Sequence, residues 1–210
     1  MRFKGLVFDL DGTLIHTKPE YRYLIVGKTL EDLGIEPVKE HIDSFWFEGN
    51  RNELIKKHFG IEPEKFWKKY LEHENPELRK KSIRAYEDTE FLKTFKQRGK
   101  KFGIVTGSPE DIFRLEMKFL DTRCFDSFVL SRSEKGSFAK PHPHALEKCL
   151  AQLGLAKYET AFVGNSDEDI AMARNAKVFS IFIDRQEHVF ESPQKPDLKI
   201  STLEELKVLL

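Results

Sequence analysis

The chain has 210 residues, of which 40% are hydrophobic and 12% aromatic, and its 35 basic side chains are balanced by 35 acidic ones. This composition argues against a disordered chain, and a chain of this length can bury roughly 70% of its extended surface in one core. A net charge of zero argues against a general nucleic-acid or membrane-surface binder, which would carry a basic excess. The two cysteines lie outside any Cys-x-x-Cys pair and predict neither a disulfide scaffold nor a zinc motif.

The first apolar run of the chain, Leu6–Phe8, is interrupted by Asp9 and is too short for the core of a signal peptide. No stretch approaches the roughly 18 apolar residues that suggest a membrane span. We therefore expect a cytoplasmic protein whose partner is a small molecule, with no nucleic acid and no membrane among its partners. The pattern is silent on the oligomeric state.

Residues 5–9 form a short apolar run, which predicts a strand buried on both faces of a sheet. The next block has helical periodicity throughout and no segment with the pattern of a strand. Its predicted helices cover residues 19–33, 38–58, 63–73 and 76–86, with a break near Gly49 in the second. We expect an all-helical block here.

From residue 89 onwards, predicted helices and strands alternate. The strands are 101–105, 125–130, 160–163, 178–183 and 198–200, and the helices are 89–98, 109–120, 143–153, 167–175 and 203–209. Such alternation predicts a parallel sheet, which the first strand must join from across the helical block. The predicted fold class is therefore α/β, with a core domain of residues 1–17 and 86–210 and an inserted helical domain of residues 18–85.

Three polar clusters, residues 9–13, 106–108 and 164–169, each follow a predicted strand. In open parallel sheets, ligands bind at the carboxyl ends of the strands. We therefore expect the three clusters to meet around one cleft.

The first cluster contains two carboxylates, Asp9 and Asp11, two residues apart. One can attack phosphorus to give an aspartyl phosphate, and the other can act as general acid and then base. A polar turn is the plain alternative. A calcium loop fails on spacing, because Leu14 would stand where the loop needs glycine.

The second cluster offers the hydroxyl and N–H groups of Thr106, Gly107 and Ser108 before a predicted helix, where free N–H groups bind anions. Ordinary capping of that helix by Ser108 is the alternative. Lys140 precedes another helix and can neutralise a phosphate oxygen, unless it is a solvated surface lysine.

The third cluster, Gly164 to Asp169, supplies oxygen ligands suited to Mg²⁺, although an acidic first turn also suits a helix dipole. A cation is needed because two unit charges about 4 Å apart repel by roughly 4 kcal/mol at an effective dielectric near 20. A carboxylate that attacks a phosphate dianion meets more than this repulsion. A divalent cation between them reverses its sign.

Together these residues resemble the four motifs of the haloacid dehalogenase superfamily: Asp9 to Leu14, Thr106, Lys140-Pro141, and Gly164 to Asp169. The resemblance covers essentially the whole chain. It implies a Rossmann-like core, Mg²⁺-dependent phosphoryl transfer, and a small helical cap domain at residues 18–85.

The resemblance also implies roles for individual residues. Asp9 would be the nucleophile and a metal ligand, and Asp11 the general acid and base with its carbonyl on the metal. Thr106 and Lys140 would bind the phosphate and are catalytic, and the loop groups of Gly107 and Ser108 complete the predicted substrate-binding set. The predicted metal ligands are Asp9, Asp11, Asn165 and Asp169, with Asp167 as the alternative to Asp169 for supplying the charge that Asn165 lacks. An acid at Asp11 favours a phosphatase over a dehalogenase, because a halide leaving group needs no proton.

Two positions depart from the family pattern. Asn165 stands where members usually have Asp, and His16 stands where many cap-bearing relatives have Asp. His16 is either a simple linker residue or a side chain that faces the substrate or hinge. We expect a phosphatase acting on a small phosphorylated metabolite, with a sugar phosphomutase or a catalytically weakened phosphate-binding module as alternatives.

Overall fold

The computed structural model describes residues 3–132, 138–189 and 194–210. The chain divides into two compact units, one formed by Met1–His16 with Arg84–Leu210 and the other by Thr17–Ile83. In chain order, the strands are β1 (Gly5–Phe8), β2 (Ile15–Thr17), β3 (Ile83–Ala85), β4 (Lys101–Thr106), β5 (Ser127–Leu130), β6 (Thr160–Gly164), β7 (Phe179–Ile183) and β8 (Leu198–Ile200).

The first unit is built on a six-stranded parallel sheet with the order β5-β4-β1-β6-β7-β8. The first strand lies in the middle, with Phe8 opposite Ile104 of β4 on one side and Val163 of β6 on the other. Its apolar side chains are fully buried, which explains why β1 lacks polar alternation. The predicted Rossmann-like α/β sheet, joined by its first strand from across the helical block, is confirmed.

The helices are α1 (Pro19–Asp32), α2 (Lys39–Phe47), α3 (Arg51–Leu54), α4 (Pro63–His73), α5 (Pro76–Ser82), α6 (Phe91–Gln97), α7 (Glu110–Glu116), α8 (His144–Leu153) and α9 (Asp167–Asn175). In the first unit, α8 and α9 pack buried apolar side chains against the sheet, around Val7 and Phe162. Every helix in the described part of the chain is too short or too polar to cross a lipid bilayer.

The second unit consists of α1 to α5, with a π-helical turn at Ile55–Phe59. Proline occupies the first turn of α1, α4 and α5, where its missing N–H costs no hydrogen bond. The core of the unit is aromatic, with Phe45, Phe66 and Tyr70 in mutual ring contact. The unit thus has a hydrophobic core of its own.

The prediction that residues 18–85 contain no strand was wrong. Helix α5 ends at Ser82, and Ile83–Ala85 pairs with Ile15–Thr17 in a separate two-stranded sheet. Ile83 is β-branched and buried, and pairing with a distant segment outweighs the helical pattern before it. The predicted helix 38–58 is interrupted at residues 48–50, where Asn50 takes a left-handed conformation with φ of 58°.

Candidate active site

The loop after β1 is a tight turn that brings Asp9 to the carboxyl end of the sheet. The Asp9 N–H donates to the Val163 carbonyl at 2.9 Å, so the backbone still follows β6 at this residue. Gly12 has a φ of +74°, which favours glycine. A Cβ there would lie 2.2 Å from Nδ2 of Asn165, so the turn also needs glycine for the close approach of the third cluster.

Lys140 is a buried lysine that bridges two of the predicted site carboxylates. Its Nζ donates to Oδ1 of Asp9 and, at 2.7 Å, to Oδ1 of Asp169, and only 8% of its side chain is exposed. The ammonium also lies 5.6 Å from the ring centroid of Phe162. A solvated surface lysine is therefore excluded at this position.

The electrostatics of this cluster favour an additional cation. Burial raises the pKa of the Asp9 carboxyl, the Lys140 ammonium opposes that rise, and the charges of Asp169 and Asp11 add to it. Burial acts to lower the pKa of Lys140, but the carboxylates of Asp169 and Asp9 outweigh it and raise that pKa. Lys140 pairs with Asp9 and Asp169, and Asp11 adds a further negative charge near Asp9, so with all four groups charged the carboxylates outnumber the ammonium by two.

Asp169 is held by the first turn of α9. Its Oδ2 accepts hydrogen bonds from the Ser166 N–H at 3.1 Å and the Ser166 hydroxyl at 2.8 Å, while its Oδ1 accepts from Lys140. A Cβ on Gly164 would lie 2.5 Å from Oδ2 of Asp169, so this glycine makes room for the carboxylate. Both oxygens of this predicted metal ligand are thus engaged by protein donors.

Thr13 links the first and third clusters. Its hydroxyl lies 3.4 Å from Oδ2 of Asp9 and 3.3 Å from Oδ1 of Asn165, and the residue is fully buried. Thr13 belongs to the first motif, but its residue type and spacing predict no role of its own. Through this hydroxyl, the carboxylate and the amide oxygen are held close to a common point.

The oxygen donors of Asp9 and Asn165 fit a hard cation such as Mg²⁺, which binds through one or two carboxylates together with water and phosphate oxygens. Within residues 3–132, 138–189 and 194–210, no group of three or more carboxylate, imidazole or thiol side chains is arranged to hold a metal. The residues present therefore fit a hard cation held in part by the oxygens of Asp9 and Asn165.

The second cluster meets Asp11. The Ser108 hydroxyl donates to Oδ2 of Asp11 at 2.6 Å, and the Ser108 N–H donates to Oγ1 of Thr106 at 3.0 Å. The Thr106 carbonyl accepts from the N–H of Ser131 at 2.8 Å, which anchors the end of β4 to the end of β5. Gly107 lies between Thr106 and Ser108 in the chain, and a Cβ on Gly107 would lie 3.6 Å from Nε of Arg132. Ser108, predicted to bind substrate, thus makes its side-chain contact with the predicted general acid.

His16, the second departure from the family pattern, is tied to the C-terminal part of the first unit. Its Nδ1 lies 2.5 Å from Oε1 of Glu187, and that oxygen also accepts from the Tyr86 hydroxyl. The interpretation as a simple linker residue does not account for these contacts, since His16 has a defined acidic partner. Nothing in the sequence pattern signalled Glu187 or Tyr86.

Residues 6–183 match the profile of the haloacid dehalogenase-like hydrolase family, and the chain therefore belongs to this family. A relative from Clostridium perfringens, provisionally named pyrophosphatase PpaX, is 30% identical over 82% of this chain and 80% of its own length. A phosphoglycolate phosphatase from Mannheimia succiniciproducens is 26% identical over 83% of each chain. Family and relatives together support the predicted assignment to the phosphoric monoester hydrolases.

Among solved structures, a protein from Lactobacillus plantarum, provisionally named a phosphoglycolate phosphatase, superposes with a TM-score of 0.79 at 19% identity over all of both chains. A protein from Thermotoga maritima, provisionally named a beta-phosphoglucomutase, gives 0.72 at 18% identity, also over all of both chains. These likenesses show the fold. Since phosphatase and mutase names share it, the fold does not separate those two activities.

Proposed function

We propose that this protein is a Mg²⁺-dependent phosphatase that hydrolyses a small phosphomonoester through an aspartyl phosphate on Asp9. The observation that carries the proposal is the surroundings of the Asp9 carboxylate. One oxygen is bonded to the buried Lys140, and the other faces the Thr13 hydroxyl beside Asn165. The Asp9 carboxylate therefore lies between the Lys140 ammonium on one side and the oxygen atoms of Thr13 and Asn165 on the other.

Asp9, Asn165 and the Asp11 carbonyl are the proposed holders of the metal. When bound, Mg²⁺ neutralises charge on the nucleophile and on the phosphate oxygens. Asp169 is proposed to act mainly on Lys140, because its own oxygens accept bonds from Lys140 and Ser166. In this proposal Asp169 positions Lys140, whereas the sequence pattern predicted Asp169 as a metal ligand.

The proposed first step forms a bond between a carboxylate oxygen of Asp9 and the phosphorus, and breaks the bond from phosphorus to the leaving oxygen. Asp11 gives its proton to that oxygen. Lys140 and the groups of Thr106 and Gly107 hold the transferring oxygens. In the second step Asp11 takes a proton from water, whose oxygen attacks phosphorus, and phosphate leaves with the Asp9 carboxylate restored.

We propose the helical unit Thr17–Ile83 as the cap domain that selects the leaving group. The names of the relatives make phosphoglycolate, a phosphomonoester, the first substrate to test on this chain, with pyrophosphate, a phosphoanhydride, as the comparison. A panel of small phosphorylated metabolites, assayed with and without Mg²⁺, extends that test.

The decisive experiment is Asp9→Asn with p-nitrophenyl phosphate as the substrate. The variant keeps the size of the side chain and is expected to lose phosphate release while its melting transition is retained. Asp111→Asn, which changes an exposed aspartate of α7, is the matched control and is expected to keep full activity. Full activity in Asp9→Asn would remove the proposed nucleophile.

Asn165 favours a second candidate, a phosphate-binding module with weakened catalysis. Its amide gives the metal site one negative charge fewer than a carboxylate would. Isothermal titration with Mg²⁺ separates the candidates. No binding at high Mg²⁺ and no turnover across the panel would favour the module, whereas turnover to free phosphate supports the phosphatase. An isomerised sugar phosphate without free phosphate would point to a mutase.

A further inference from the structure

A buried arginine outside the four motifs reaches the loop of the first motif. Arg185 follows β7, and 8% of its side chain is exposed. Its guanidinium donates to both carboxylate oxygens of Asp88, at 2.6 and 3.0 Å, and to the main-chain carbonyl of Thr13 at 2.7 Å. None of the roles assigned above involves either charged residue.

The guanidinium is held from several sides. Oδ2 of Asp88 also accepts the N–H of Leu203 at 2.8 Å, which ties the pair to the C-terminal segment. The ring of Tyr86 lies 3.9 Å from the central carbon of Arg185, and the Tyr86 N–H donates to the Leu14 carbonyl at 3.0 Å. Planar, two-pronged contacts of this kind fix an arginine more firmly than a lysine in the same place.

The hydroxyl of Thr13 faces the two proposed metal donors, Asp9 and Asn165, which we call the metal end of the site. Thr13 presents its carbonyl to Arg185 and its hydroxyl to Asp9 and Asn165. A shift of the Thr13 backbone would therefore move the hydroxyl that stands between those two oxygens. Thr13 thus connects the Arg185 guanidinium to the two proposed metal donors.

We propose that Arg185 is a positioning residue for the metal end of this site and acts through Thr13. The proposal rests on the proposed function, because Asp9 and Asn165 are the proposed Mg²⁺ donors. Residues behind metal ligands typically change metal affinity or activity by about 10- to 100-fold when they are replaced. An effect of that size is expected at Arg185, with little change in how the substrate itself is bound.

The test is Arg185→Lys, which keeps the positive charge beside Asp88 but cannot reach both of its oxygens and Thr13 together. We expect the Mg²⁺ dissociation constant from isothermal titration to rise about tenfold and kcat to fall at limiting Mg²⁺. The KM for p-nitrophenyl phosphate at saturating Mg²⁺ is expected to stay near that of the unchanged protein. A merely structural role would lower the melting temperature without this selective loss of Mg²⁺ affinity.

Arg174→Lys is the matched control. Arg174 also donates to a main-chain carbonyl, that of Lys195 at 2.9 Å, but it lies in the last turn of α9. The Mg²⁺ affinity of the Arg174→Lys protein is expected to equal that of the unchanged protein. If the Arg185→Lys protein folds poorly, the double variant Asp88→Asn with Arg185→Gln removes both charges together and is measured in the same way.

Two results would overturn the proposal. A folded Arg185 variant that binds Mg²⁺ as tightly as the unchanged protein would show that Thr13 needs no such support, and would leave the proposed phosphatase intact. Failure of the unchanged protein to bind Mg²⁺ or to turn over any phosphate ester would overturn both the proposed function and this inference.

Discussion

The Nζ of Lys140 lies 2.7 Å from Oδ1 of Asp169, and the same ammonium donates to Asp9. Asp169 is 1% exposed, and its other oxygen is bound by Ser166 at the start of α9. The lysine that faces the proposed nucleophile is therefore fixed by a carboxylate that is itself fixed by a helix. This chain of contacts joins two distant segments to the end of β1.

Replacing Lys140 by Met is expected to abolish most activity and to destabilise the fold. Asp9 and Asp169 would lose their buried counter-charge, and breaking a buried pair in this way costs about 3–5 kcal/mol. Loss of one preorganised group of this kind typically costs about 100-fold in kcat. Urea unfolding and phosphate release measure the two effects. Lys140→Arg, which keeps the charge, should be much closer to the unchanged protein in stability than in activity.

The destabilisation by Lys140→Met is expected to grow with pH. Burial already raises the pKa of Asp9 above its unfolded value, and removal of the lysine takes away the charge that opposes this rise. A carboxyl with a raised folded pKa binds its proton more tightly in the folded state, so its contribution to stability is lost as pH rises. Metal-free unfolding at acidic and at mildly alkaline pH checks this. A destabilisation by Lys140→Met that decreases as pH rises would contradict the assignment of a buried charge to Asp9.

Gly12→Ala is expected to weaken Mg²⁺ binding as well as stability. The new Cβ would carry the cost of a left-handed backbone, about 1–2 kcal/mol, and would also collide with the amide of Asn165. Gly99→Ala is the matched control, since Gly99 has a φ of +77° and nothing within 4 Å of the added carbon. Titration and unfolding of both variants separate the two costs. Equal Mg²⁺ affinity in the two would remove Asn165 from the metal site.

Asn165→Asp is expected to tighten Mg²⁺ binding and to lower the stability of the metal-free protein. The added charge would lie near the Asp9 carboxylate, across the Thr13 hydroxyl, where the cluster already has an excess of negative charge. Bound metal offsets that repulsion, so Mg²⁺ should raise the melting temperature of the variant more than that of the unchanged protein. Melting curves in EDTA and in saturating Mg²⁺ measure the difference. The same shift in both proteins would argue against Asn165 as a metal donor.

Ser108→Ala separates two roles for this hydroxyl. Because it donates to Asp11 at 2.6 Å, its loss is expected to lower kcat several-fold and to displace the pH profile of kcat, with KM nearly unchanged. A residue that binds substrate in the ground state would instead raise KM at constant kcat. Steady-state kinetics across pH decides between these outcomes. Ser108→Thr, which keeps a hydroxyl, is the control that should retain the profile.

Sequence patterns predicted strands and helices correctly where the pattern of a single segment decides the structure of that segment. The apolar run before Asp9 predicts a buried strand, and β1 is buried on both faces. The predicted helices 63–73 and 167–175 begin and end where α4 and α9 do, since Pro63 and Ser166 open them. The pattern failed at Ile83–Ala85, because that strand exists only through pairing with a segment over 60 residues away.

The sequence by itself determined the α/β class, the family and the set of polar groups at the strand ends, because burial periodicity and short motifs are properties of neighbouring residues. The tertiary structure alone decided the hydrogen-bond partner of each group. Ser108 donates to Asp11, Lys140 donates to Asp169, and Arg185 donates to the carbonyl of Thr13. Arg185 and Thr13 are 172 residues apart in the chain. Such a contact has no local signal, since it follows from which strands lie side by side in the sheet.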